Sequence, residues 1–164
     1  MPEGLRLRGL RIEAGERCLV DDVSLDLAPG SLTVLVGASG SGKSLTARSL
    51  LGLVSANPGV VQGDLEVEVD GIVHRPYRDG SFKRLRGGVL GWLPQDARGS
   101  LNPLWTVDRQ VREALKLAGR PLESHTVLTR AGFADPVRVA RLYPHELSGG
   151  MAQRACIALA LARG

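Results

Sequence analysis

The chain has 164 residues, 43% hydrophobic and 23% charged, the balance of a soluble globular protein with room for one sizeable core. All but three of its 21 basic residues are arginine, scattered rather than clustered, so the net charge of +4 reads as compositional bias and solvated surface, not as a nucleic-acid patch. No apolar run approaches the roughly 20 residues of a membrane span, and Met1-Pro2-Glu3-Gly4 does not open like a signal peptide. Cys18 and Cys156 are too few and too distant for a disulfide framework, which points to a reducing cytoplasm.

Leu5 to Ile12 alternates apolar and basic residues, the pattern of a half-exposed strand. Gly15 marks a turn, Val23 to Leu27 alternates again, and Pro29-Gly30 closes the segment, predicting an antiparallel hairpin. Leu32-Thr33-Val34-Leu35-Val36 is short, apolar and β-branched, which predicts a buried parallel strand. Leu45 to Leu53 follows with helical spacing. Leu65 to Gly71 alternates and ends in an Asp-Gly turn, Phe82 to Arg86 predicts a short helix, and Val89 to Leu93 a further apolar strand ending at Pro94-Gln95. Helices are predicted over Val107 to Leu117, Leu122 to Ala131 and Val137 to Leu142. Met151 to Ala162 has so little polar surface that it is expected to be largely buried.

Between the predicted strand and helix lies Gly37-Ala38-Ser39-Gly40-Ser41-Gly42-Lys43-Ser44, a full match to the phosphate-loop pattern G-x-x-x-x-G-K-[ST]. Glycines at 37, 40 and 42 let the backbone curl so that successive N–H groups form an anion-binding nest. Lys43 is placed to reach the β- and γ-phosphates, and the Ser44 hydroxyl to complete a magnesium shell. An ordinary glycine-rich turn is the alternative, and the strand and helix on either side argue against it.

A second segment, Leu147-Ser148-Gly149-Gly150-Met151-Ala152-Gln153-Arg154, puts a hydroxyl and several free N–H groups ahead of a helix. Alone it reads as a capped helix start. Together with the phosphate loop and Gln95, it suggests a γ-phosphate gripped from two sides.

In that order, GASGSGKS, Gln95 and LSGGMAQR resemble the nucleotide-binding subunit of an ATP-binding cassette (ABC) transporter. Gln95-Asp96 with Ser100-Leu101-Asn102-Pro103-Leu104, Tyr143-Pro144-His145-Glu146, and Leu45 after Ser44 are similar to the oligopeptide, dipeptide and nickel importers, nickel-import subunits most of all. The resemblance implies an α/β phosphate-loop NTPase core with an antiparallel β edge and a helical subdomain. It divides the chain into an ATP-binding core over 1–95, a helical subdomain over 96–146, and a signature motif with its helix over 147–164. It implies that Gly37, Ala38, Ser39, Gly40, Ser41, Gly42, Lys43, Ser44 and Leu45 bind ATP. Ser44 and Gln95 would bind Mg²⁺, Gln95 also sensing the permease. Ser148, Gly149 and Gly150 would meet the γ-phosphate held by an opposite subunit, with Lys43, Gln95 and Ser148 as the catalytic set.

The implied partners are a second ATPase subunit in a head-to-tail dimer, integral membrane permease subunits and, indirectly, an extracytoplasmic binding protein, with no nucleic acid. The implied place is the cytoplasmic face of a bacterial membrane. The family's adenine-stacking aromatic would fall near Ala14, yet no aromatic precedes Tyr77, so adenine is held loosely or by another contact. The chain stops at Gly164, where relatives continue into the strand carrying the magnesium-binding aspartate and the catalytic glutamate. The expectation is therefore an incomplete core that binds ATP weakly with negligible turnover and poor solubility. His74, His125 and His145 precede the signature and read as surface or locally bonded residues, Cys156 and Trp92 as core, and Trp105 as permease-side packing. Alternatives are a soluble ABC ATPase of DNA repair or translation, and a truncated non-hydrolysing nucleotide-binding or interaction protein.

Overall fold

The run Leu5, Leu7, Leu10, Ile12 changes its alternation phase at Arg8-Gly9, and the backbone changes with it. In a computed structural model, which describes residues 2–54 and 59–164, these four leucine and isoleucine side chains share one buried face of strand β1 (Pro2–Ala14). An extra residue would turn every later side chain outward. A bulge absorbs it: the pairing with β2 (Arg17–Leu27) slips between Leu7 and Leu10, and Gly9 takes φ +57°. The Gly9 N–H donates to Ser24 Oγ at 3.0 Å.

β1 also pairs antiparallel with β3 (Gly59–Val69), which sets Leu5 beside Val67 and Leu7 beside Leu65. The Asp70-Gly71 turn returns the chain into β4 (Ile72–His74), giving the order β2-β1-β3-β4. The other face carries the arginines in exposed or half-buried ion pairs: Arg8 with Asp26 at 2.7 Å, Arg11 with Glu13 at 2.6 Å and Asp21 at 2.7 Å, and Arg75 with Glu66 at 2.7 Å. The arginine content of this region is thus solvated, paired surface.

Two short helices, α2 (Pro76–Asp79) and α3 (Phe82–Leu85), follow α1 (Lys43–Ser49) in the same unit, Met1–Val89. α1 is shorter than the predicted Leu45 to Leu53 because Gly52, at φ +62°, ends it: the Gly52 N–H bonds Ser49 O and the Leu53 N–H bonds Arg48 O, both at 2.9 Å. Tyr77 donates its hydroxyl to Ser49 O at 3.0 Å, and Phe82 lies so close to Gly52 that a Cβ there would meet its ring at 2.8 Å.

Leu90–Gly164 form the second unit, built from α4 (Ala97–Ser100), α5 (Val107–Leu117), α6 (Ser124–Arg130), α7 (Pro136–Ala140), a 3₁₀ turn (Pro144–Glu146) and α8 (Gly149–Arg163). α5 has the bounds its periodicity predicts, and Val107, Val111, Ala114 and Leu115 are buried. Its N-cap is Thr106, whose Oγ1 accepts from the Arg109 N–H. α8 buries Ala152, Ala155, Cys156, Ala158 and Ala162, small residues that let α5 pack closely against it. Cys156 is buried as expected, with Sγ 3.4 Å from Ala97 O. Both cysteines are free.

Three expectations are corrected. Leu32 to Val36 is irregular and exposed, Leu32 at 90% and Val36 at 89%, and none of β1 to β4 pairs with it. Val89 to Leu93 also forms no strand. Both are apolar runs of strand composition, but a strand is held by its ladder neighbours, and among the described residues neither run has a ladder partner in this sheet. Trp92, expected in the core, is 38% exposed in the same irregular stretch. The whole is a mixed α/β protein with an antiparallel sheet and a helical region.

Candidate functional site

Gly42 is the pivot of the phosphate loop. It caps α1 in the left-handed region at φ +86°, and a Cβ on it would lie 2.8 Å from Val20 Cγ2 and 3.0 Å from Leu19 O. Only glycine gives both the turn and the close approach of the loop to β2. Gly42 O accepts the Thr46 N–H at 2.8 Å and the Thr46 hydroxyl at 3.1 Å, so the first turn of α1 is closed from within.

Lys43 folds back across the loop. Its Nζ donates to Gly37 O at 2.8 Å, Ala38 O at 2.6 Å and Ser41 Oγ at 3.2 Å, which uses all three ammonium donors. The loop is a closed ring of residues around one cation. Gly40 takes φ +81° with open space around its α-carbon, and a Cβ on Gly37 would meet Ser41 Oγ at 2.8 Å. Residues 37–41 and Ser44 are exposed, while Lys43 and Leu45 are half-buried. Nine expected ATP-contacting residues, 37 to 45, are therefore contiguous in one loop and helix start, with the cation at its centre.

Gln95 lies in the second unit and is exposed, one residue ahead of Asp96, whose carboxylate accepts the Gly99 N–H at 3.0 Å and caps α4. Ser148 caps α8: its Oγ accepts the Met151 N–H at 3.3 Å, and its carbonyl accepts the Ala152 N–H at 2.9 Å. The capping reading of Ser148 is therefore realised, and Gly149 and Gly150 sit exposed in a first turn whose N–H groups have no intrahelical acceptor. The residues expected to act together thus fall into the phosphate loop in one unit and the pair of segments around Gln95 and Ser148 in the other.

Around Ser148 the structure adds two arginines to which the sequence reading gives no role. Arg98 Nη2 donates to Leu147 O. Arg154 donates to Gly150 O at 3.4 Å and Gly132 O at 3.0 Å while its guanidinium lies 5.3 Å from the Phe133 ring centre. Arg154 stands within the quoted LSGGMAQR run; nothing in the sequence singles out Arg98. Trp105 is half-buried beneath the Arg109 guanidinium at 4.2 Å, and His145 stacks on Tyr143 at 5.7 Å. Among the described residues, no group of three or more His, Cys, Asp or Glu is placed to hold a metal ion.

A phosphate loop closed on its lysine, in a mixed α/β chain with a capped glycine-rich helix start, defines a nucleotide-binding protein. The profile of the ABC transporter family matches residues 20–164, and the chain belongs to that family. It is 40% identical over 149 residues to the peptidoglycan transport ATP-binding protein YejF of Agrobacterium fabrum, covering 87% of this chain and 27% of that protein. It is 38% identical over 172 residues to a putative peptide import ATP-binding protein of Brucella abortus, covering 97% of this chain and 50% of that one. A similar Brucella melitensis protein is 37% identical over 174 residues, with 96% and 51% covered. The chain spans about half the length of these peptide-import relatives. In fold it is similar to the ATP-binding subunit of an ABC transporter, at TM-score 0.71 and 21% identity over 96% of this chain and 61% of that one. It is likewise similar to a bacterial Atm1-family ABC exporter with ATP bound, at TM-score 0.75 and 23% identity over 99% and 28%.

Proposed function

We propose that this chain is the ATP-binding part of an ABC importer that couples ATP binding and hydrolysis to the uptake of peptides. The observation that carries it is the loop of residues 37–44 closed on Lys43, within a chain of this family. The relatives' names, peptide import and peptidoglycan transport, support the cargo class. The likeness to nickel-import subunits at 100–104 and 143–146 gives metal complexes as the second cargo class.

Gly37 to Leu45 take the ATP phosphates. Lys43 already donates to carbonyl and hydroxyl oxygens in this loop, and phosphate oxygens offer the same chemistry with more charge. Ser44, exposed beside it, offers a hard oxygen ligand for Mg²⁺, and Gln95 offers an amide oxygen. When bound, the cation supplies charge neutralisation at the phosphates. Ser148, Gly149 and Gly150 take the γ-phosphate held by the opposite subunit of a head-to-tail dimer. Residues 1–95 are assigned as the ATP-binding core, 96–146 as the helical subdomain and 147–164 as the signature with its helix.

No described helix is long and apolar enough to cross a membrane, which accords with a subunit docked on permease subunits at the inner face, fed by an extracytoplasmic binding protein. Uptake of labelled peptides and of radioactive nickel, in cells whose own gene carries Lys43→Met, tests the reading. Loss of peptide uptake with nickel uptake intact supports it. Loss of nickel uptake alone moves the cargo to metal complexes, and no loss of either contradicts the transport role.

A further inference from the structure

The carbonyls on either side of the Ser148-Gly149 pair are each held by an arginine. Arg154 takes Gly150 O, and Arg98, 49 residues earlier than Leu147, takes Leu147 O. The two arginines are anchored differently. Arg154 is fixed by Gly132 O and by the ring of Phe133, which belongs to the helical core. Arg98 is the second residue of α4, a four-residue helix whose N-cap, Asp96, directly follows Gln95.

α4 is tied to α8 at more than one point. Cys156 Sγ lies 3.4 Å from Ala97 O and 3.6 Å from Ser100 Oγ, and Leu101 and Leu147 bury their side chains in the same core. Because a peptide unit is planar and trans, holding the Leu147 carbonyl also sets the direction of the Ser148 N–H. The bond is a single charge-assisted one from Nη2, so the task needs a long cationic donor at this position of α4 rather than the arginine fork.

We propose that Arg98 is a positioning residue, through which displacement at Gln95-Asp96 is carried to Ser148, Gly149 and Gly150. The inference deepens the ATP-binding reading and rests on it for its functional meaning, since it gives those three residues their phosphate role. Physically it requires that α4 and the start of α8 move as one packed piece, with Arg98 as the link.

Amide exchange at Met151 and Ala152 reports Ser148, because these two N–H groups bond its hydroxyl and carbonyl. The experiment is a cycle on the full chain without nucleotide: wild type, Asp96→Ala, Arg98→Met and the double variant, with Arg98→Lys as the conservative replacement. Each single change is expected to speed exchange at both amides about five- to tenfold. The double variant is expected to match Arg98→Met alone, and Arg98→Lys to stay within about twofold of wild type.

A double variant equal to the product of the single effects would overturn the proposal. So would an unchanged Met151 amide in Arg98→Met, or Arg98→Lys as fast as Arg98→Met. If Arg98→Met does not fold, Arg98→Gln takes its place in the same cycle with the same criteria. Nucleotide plays no part in this cycle, so its failure is distinguishable from failure of the ATP-binding reading, which a titration with Mg–ATP decides.

Discussion

Lys43 Nζ lies 2.8 Å from the carbonyl oxygen of Gly37, so the last basic residue of the phosphate loop closes the loop back onto its first glycine. With Ala38 O and Ser41 Oγ as its other partners, the ammonium is the hub of the loop. Replacing it by methionine keeps the stem and removes the hub. Lys43→Met is expected to speed amide exchange across residues 38–42 by about tenfold or more, while the Thr46 amide, bonded to Gly42 O, changes little. Equal exchange in both proteins would show that the lysine does not order the loop.

The glycines of the loop differ in what they tolerate. Gly42→Ala combines a left-handed backbone with a Cβ 2.8 Å from Val20 Cγ2 and 3.0 Å from Leu19 O, and is expected to destabilise the first unit by about 2–4 kcal/mol. Gly40→Ala meets only the backbone penalty, as nothing lies within 4 Å, and is expected to lose about 1 kcal/mol. Urea melts of the two variants should show this order; the reverse order would contradict the packing of the loop on β2.

Asp79 gives the first unit an acid-sensitive link. Hydrogen bonding from Ser81, then the backbone N–H groups of Arg75 and Ser81, lowers its carboxyl from 3.8 to about 2. A carboxyl depressed by folding stabilises fully above its unfolded value, and that stabilisation is lost as pH falls through the folded value. Stability of the first unit is therefore expected to drop between about pH 4 and pH 2 in the wild type, with a flatter acid limb in Asp79→Asn, as measured by urea melts across that range. An unchanged acid limb would remove Asp79 from the account.

Ser148 serves the fold as well as the proposed site. Ser148→Ala removes the α8 cap and is expected to lower stability of the second unit by about 1 kcal/mol, and Ser148→Gly by only a few tenths. A Ser148→Gly protein that folds normally separates the cap from any phosphate role of the hydroxyl.

The alternation in Leu5 to Ile12 and again in Val23 to Leu27 was enough to place the hairpin, but not the bulge at Gly9, which shows only in the pairing of β1 with β2. α5 was equally legible, because its buried face repeats locally at helical spacing. Leu32 to Val36 misled for the opposite reason. Its β-branched, apolar composition describes what could sit in a parallel sheet, but pairing is supplied by other segments, and the run is irregular here. The position of the loop over residues 37–44 was legible because its pattern fixes glycine and lysine at set spacing, while its contacts with phosphate belong to the proposal. The lysine's inward bonds and the packing of Gly42 on Val20 were not, as each depends on a fold-dependent contact. Arg98 had no signal at all: its partner is a backbone carbonyl 49 residues away, which leaves no mark on side-chain pattern.

The most direct measurement is calorimetric titration of the chain with ATP, with and without Mg²⁺, in wild type and Lys43→Met. The account predicts saturable binding to one site that Lys43→Met weakens by about ten- to a hundredfold, the loss expected for charge-assisted bonds to phosphate. Binding of equal strength in the two proteins, or no binding in the wild type, would contradict it.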